Sequence, residues 1–162
     1  MNWSPAHLHL LVNHLPILGA PFVLLVLAWG AFTRSRDVTR LALWLMVPLA
    51  LVGFLADQSG DSAKHQLKAE SWIDKALVHE HEERADTTVI VFYVVGALGA
   101  LALWRRRSHP DERWPLGVAA VALTTASLLA AWTGLAGGVI RHDEIRPAAA
   151  APAATSVSFR TD

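Results

Sequence analysis

Cysteine is absent from this chain. Disulfides, thiolate metal sites, iron–sulfur clusters and c-type haem attachment are therefore excluded within it. Charge is scarce as well. Asp, Glu, Lys and Arg make up 17% of the sequence, against about a quarter in soluble domains. Net charge is zero with neutral histidine, so nothing in the balance points to a nucleic-acid partner. Neither the HExxH protease signature nor a Walker phosphate loop occurs. Residues 1–6 hold no Lys or Arg. The apolar run behind them is far longer than the core of a signal peptide, about 7–15 residues, which argues against a cleaved leader.

Apolar residues make up 53% of the 162 positions, and the mean hydropathy is +0.34. The charges collect in three blocks between long apolar runs, as in a chain whose solvent is partly lipid. Four spans are predicted, over residues 6–32, 41–56, 85–104 and 115–140. A hydrocarbon core needs about 20 helical residues, so the second is short unless it continues past Asp57. Lipid enforces helix even on the β-branched run 89–95, because each segment must satisfy its own backbone groups. The expected fold is all-α: an integral membrane four-helix bundle over residues 1–146, with an Ala/Pro-rich disordered tail over 147–162.

The short loops give the direction. Arg34, Arg36 and Arg40 stand against Asp37 in one, and Arg105, Arg106, Arg107 and Arg113 against Asp111 and Glu112 in the other. The positive-inside rule makes that side cytoplasmic and both termini external. Trp29, Trp104 and Trp114 fall near the cytoplasmic ends, as an aromatic belt would, and Trp3 and Trp72 are candidates for the opposite interface. The long loop 57–84 is acid-rich and falls outside. Ser59-Gly60-Asp61 reads as a turn, and the apolar spacing from Ala63 to Leu77 predicts an amphipathic outer helix lying on the bilayer between spans two and three. Residues 79–86 read as the first turns of the third helix, projecting above the membrane.

Eight histidines remain to be explained. His7, His9, His14, His65, His79, His81 and His142 fall outside or at the outer interface; His109 is cytoplasmic. Counting about 20 residues back from each cytoplasmic end at 1.5 Å per residue puts His14 just inside the outer boundary. The same count puts His7 about 9 Å, His81 about 6 Å and His142 roughly 10 Å above it, on three different helices. His7 and His14 share a helix face, as do His79, Glu82, Glu83 and Asp86. Imidazoles ringed by carboxylates suit a transition metal, or haem b held by axial histidines. The candidate ligands are His7, His14, His79, His81, His142, Glu82 and Glu83, with His7, His14 and His81 as the haem candidates. His7 with His81 and His14 with His81 both stay open as axial pairs, while His9, His65 and His109 read as solvated. Pro16 frees the carbonyl of Val12, and a kink there would aim His14 inward. Gly134, Gly137 and Gly138 permit close approach at the outer end of the fourth helix.

The segment HLHLLVNHLPILGAPF over 7–22 resembles the first helix of a widespread family of small bacterial membrane proteins, classed as a domain of unknown function. That family carries a His-Phe-Pro-Ile type motif; His14, Leu15, Pro16 and Ile17 match it with Leu in place of the aromatic. Ser59-Gly60-Asp61-Ser62-Ala63 is similar to its Thr-Gly segment, His81-Glu82 or His79-Glu80 to its His-Glu pair, and Gly137-Gly138 to its last glycine pair. The resemblance implies a multi-pass protein of the bacterial inner membrane and favours His14 with His79 or His81.

Three functions follow as expectations. The first is an electron-transfer protein holding haem b or a transition metal and serving a quinone or a periplasmic redox carrier. The second is a non-catalytic accessory or scaffold subunit of a membrane complex. The third is a small metal or ion transporter, which lacks the mid-bilayer acid or histidine that a substrate path needs. None of the three is primarily an enzyme.

Overall fold

The computed structural model describes residues 4–67 and 73–146. Four helices account for nearly all of them: α1 (Pro5–Phe32), α2 (Arg36–Leu67), α3 (Lys75–Ser108) and α4 (Trp114–Arg141), followed by a short 3₁₀ turn at Asp143–Ile145. All four are long and apolar enough to cross a membrane. Trp3, Trp72 and the tail from Pro147 onward lie outside the described residues.

The helix ends follow local chemistry. Ser4 caps α1, its side chain accepting from the His7 backbone amide, with Pro5 at the first helical position where no amide is needed. A tight turn carries the chain into α2, with Arg34 at φ 55°. Gly30 makes this hairpin possible, because an added Cβ would lie 2.7 Å from the Thr39 backbone nitrogen. Asp74 caps α3. Arg105, Arg106 and Arg107 occupy the last turn of α3, where the helix dipole favours cations. The Arg105 guanidinium forks onto Glu112 at 2.9 and 2.7 Å, and this hydrogen bonding holds the Glu112 carboxyl below the usual carboxylate range.

Consecutive helices pack side by side and α4 closes the ring against α1, which leaves α1 and α3 on one diagonal. The core is narrow and made largely of small residues, with Ala20, Ala42, Ala119, Ala126 and Ala130 interleaved with Leu27, Leu43, Met46, Phe92 and Leu123. Along α2 and α3, an added Cβ on Gly96 or Gly99 would meet Ala50 at 2.5 Å or Met46 at 2.6 Å. Such small-residue seams join helices where lipid supplies no hydrophobic drive between them. The large apolar side chains point outward instead: Leu25, Val121 and Leu128 are each at least 68% exposed. An apolar girdle of that extent on all four helices belongs in lipid.

One expectation is corrected. Ser59-Gly60-Asp61 is not a turn; α2 runs through it without a break to Leu67. The second span therefore has the length that its apolar run lacked. Residues 62–67 belong to the end of α2 and residues 75–84 to the start of α3, so the described residues form no separate amphipathic helix on the surface. Of that apolar spacing, Ala63 and Leu67 lie at the end of α2 and Ala76 and Leu77 at the start of α3. Residues 79–86 are the early turns of α3, as the acidic segment predicts.

Candidate functional site

The start of α1, the end of α2, the start of α3 and the end of α4 meet at one end of the bundle. The Ala6 amide donates to Gln66 there at 3.2 Å. At this end the core ceases to be apolar. On α1 the buried stripe is Pro16, Ala20, Val23, Leu27 and Gly30. The same alternation of three- and four-residue steps, continued toward the N-terminus, falls on Asn13 and His9. On α3 one heptad before buried Thr88 is His81. His9 and His81 face each other across the bundle diagonal, ring centres 6.4 Å apart and edge-to-face at 73°.

Each imidazole is held by the helix beside it. His9 Nδ1 lies 3.1 Å from the Ala56 carbonyl oxygen and 3.1 Å from Ser59 Oγ, both on α2. His81 Nδ1 lies 3.0 Å from the Thr133 carbonyl oxygen on α4. A carbonyl only accepts, so both Nδ1 atoms carry the proton, and in a neutral ring Nε2 keeps its lone pair. Neither Nε2 has a hydrogen-bond partner among the described residues. A glycine makes room for each ring: an added Cβ on Gly60 would lie 3.2 Å from His9 Cε1, and one on Gly137 would lie 3.0 Å from His81 Cε1.

A polar layer surrounds the pair. Thr88 and Thr133 join their hydroxyls at 2.7 Å, and Thr88 also donates to the Arg84 carbonyl at 2.8 Å. The Arg84 guanidinium lies 4.5 Å over the Trp132 ring, donates to the Trp132 carbonyl and pairs with Glu80. Asn13, one turn below His9 on the same face, has a side-chain oxygen that is buried with no hydrogen-bond partner. A buried acceptor left in that state is costly in any solvent and more so at the edge of lipid.

The side chains singled out from the sequence do not gather into one centre. His81 sits in the diagonal pair. His7 is exposed and bonds Ser4 Oγ at 2.7 Å. His14 is exposed and turns its Nδ1 to the Leu10 carbonyl of its own helix at 2.6 Å, so the prolines do not aim it inward. His79 is exposed beside Glu83 at 3.4 Å and Glu82 at 3.9 Å, while Glu82 pairs with Lys64 across to α2. His142 is exposed and bonds Glu144 at 2.8 Å. Among the described residues, no group of three or more His, Asp or Glu side chains is placed to hold a metal ion. His7 and His14 do share a face, as their spacing requires, but it is the outward one.

His9 is the residue that sequence reasoning set aside. The signal for it lay in the small and apolar residues below it, whose register puts His9, rather than His7 or His14, on the core stripe. Gly137 fulfils the close approach predicted for the end of α4, with an imidazole as the object approached. In the middle of α4, Thr124 and Ser127 donate to the carbonyls of Ala120 and Leu123 on their own helix, and form no path across the bundle.

No protein-family model, no curated protein and no solved structure matches this chain.

Proposed function

We propose that this chain is a multi-pass protein of the bacterial inner membrane, with both termini in the periplasm, whose imidazole pair His9 and His81 holds haem b for electron transfer. The pair itself carries the reading. Two imidazoles from helices on one diagonal face each other with Nδ1 committed to carbonyls and both Nε2 lone pairs uncommitted. Their ring centres stand 6.4 Å apart, near enough for both imidazoles to serve one bound group. His9 and His81 would be enough protein ligands to hold a haem, whereas a bare transition-metal ion calls for about four. That count favours haem over a bare ion.

A haem held by His9 and His81 would supply one-electron redox chemistry between a quinol or periplasmic donor and an oxidised carrier. The chain's own contribution is positional. The Ala56 and Thr133 carbonyls fix the tautomer and swing of the two rings, and hydrogen bonding at Nδ1 raises the basicity of Nε2. The polar layer of Thr88, Thr133 and Arg84 sets the local field near the outer boundary.

The test is purification in mild detergent, with an absorption spectrum and elemental analysis of one sample. The expected result is a haem absorption band that His9→Ala and His81→Ala each reduce by at least about tenfold, while His7→Ala, His14→Ala, His109→Ala and His142→Ala retain it. Wild-type protein that takes up neither haem nor metal would defeat the proposal. A second reading then gains, and one observation favours it: His9 ties α1 to α2, and His81 ties α3 to α4. In an accessory subunit these bonds are helix staples, and the two alanine variants would melt earlier with no optical change.

A further inference from the structure

The opposite end of the bundle carries a second site. Between α2 and α3 a cavity of about 420 Å³ opens where the arginine-rich loops leave the helices. Four arginines line it: Arg36, Arg40, Arg106 and Arg107. Against them stands one lining acid, Asp37. Arg36 is taken up by Asp111 at 2.6 Å, and Arg106 donates to the Glu112 carbonyl. Arg40 and Arg107 have no ion-pair or hydrogen-bond partner among the described residues.

The lining is graded along the bundle axis. Arg36, Arg40 and Trp44 follow one another at four-residue steps on a single face of α2, the charges near the helix start and the half-exposed indole deeper toward the membrane. Leu103, Arg106 and Arg107 form the facing stripe of α3, with the leucine again on the membrane side. The mouth is cationic and the inner wall apolar, opening onto lipid-facing side chains. A free anion needs the first feature only. A phospholipid needs both, with its phosphate at the guanidinium forks and the first part of its acyl chains along Trp44 and Leu103.

We infer that the cleft between Arg36, Arg40 and Trp44 of α2 and Leu103, Arg106 and Arg107 of α3 binds the headgroup of an anionic phospholipid. Arg40 and Arg107 grip the phosphate, and Trp44 and Leu103 take the glycerol and upper chains. The inference is independent of the histidine pair at the other end. It rests on the membrane reading alone.

Native mass spectrometry of the full chain, released from mild detergent, tests it with phosphatidylglycerol, phosphatidylcholine and inorganic phosphate as probes. Wild-type protein should retain phosphatidylglycerol at least about tenfold more strongly than phosphatidylcholine, and millimolar phosphate should not displace it. The double variant Arg40→Gln/Arg107→Gln should lose about tenfold or more of that retention. Arg34→Gln/Arg113→Gln removes the same charge from the same end but outside the cleft, and should stay within about twofold. Equal loss in both double variants would reduce the effect to net charge and overturn the site. No preference between the two lipids would overturn it without recourse to any variant. Displacement by inorganic phosphate would replace the lipid with a free anion and overturn the assignment of the apolar wall.

Discussion

Gly137 is the residue on which the histidine end turns. A Cβ there would sit 3.0 Å from His81 Cε1, close enough that the ring must shift by a few tenths of an ångström. The ring cannot shift freely, because its Nδ1 is tied to the Thr133 carbonyl one turn earlier on the same helix. Gly137→Ala should therefore lower haem retention by about tenfold, the scale on which disturbing a ligand's support is felt, with the bundle still folded. Gly138→Ala meets Ile145 at 3.5 Å, an ordinary contact, and should leave retention unchanged. The ratio of haem to protein absorbance reads both. A variant that melts earlier but keeps its full haem load would show that His81 is a staple and not a ligand. At this scale the sequence was legible in part. The height count put His81 among the candidates, and His81 is one of the two rings that meet across the diagonal. It failed for α1, where histidines occur at positions 7, 9 and 14 and height cannot separate neighbours. Rotation about the helix axis separates them. The register of Ala20, Val23 and Leu27 turns His9 inward and sends His7 and His14 outward.

Among the elements, α2 and α3 form the tightest seam. Gly96 and Gly99 are buried on α3, and a Cβ on Gly99 would lie 2.6 Å from Met46 Cβ and 3.0 Å from the Leu43 carbonyl oxygen. Gly99→Leu should destabilise the bundle by about 1–3 kcal/mol or more, as overpacking of a fitted core does. Gly117 on α4 has nothing within 4 Å of the same added atom. Gly117→Leu should therefore be neutral or slightly stabilising, since it relieves a helical glycine. Thermal unfolding in detergent compares the two, and equal melting shifts would contradict the seam. The existence of all four helices was readable from apolar runs, because a chain in lipid has almost no alternative to helix. The extent of α2 was not. Ser59, Gly60 and Asp61 carry strong turn preferences in water, yet Gly60 packs against the His9 ring and buried Ser59 accepts from it. Tertiary contact with α1 outweighs the local preference, and that contact is visible only once the helices are side by side.

For the molecule as a whole, packing leaves the direction of insertion undecided, because the bundle is equally stable with either end outward in a symmetric bilayer. Charge decides it. One end holds Arg34, Arg36, Arg40, Arg105, Arg106, Arg107 and Arg113 in or beside the two short loops, while α2 and α3 project Asp57, Asp61, Glu80, Glu82 and Glu83 at the other. Arginines in short loops near span ends resist translocation, whereas acids contribute little either way. The arginine end should therefore be cytoplasmic, and the imidazole pair should face the periplasm. Exposed Trp29, Trp104 and Trp114 lie at the arginine end, so an indole girdle marks that interface in the same structure. Reporter fusions decide the matter: a reporter active only in the periplasm should be silent after Arg36 and Ser108 and active after Leu67 and Arg146. The reverse pattern would put His9 and His81 on the cytoplasmic side. Activity after Arg36 together with activity after Leu67 would mean that α2 does not cross at all. The second outcome would undo the four-span bundle, while the first would leave the bundle standing and move the site to the other compartment.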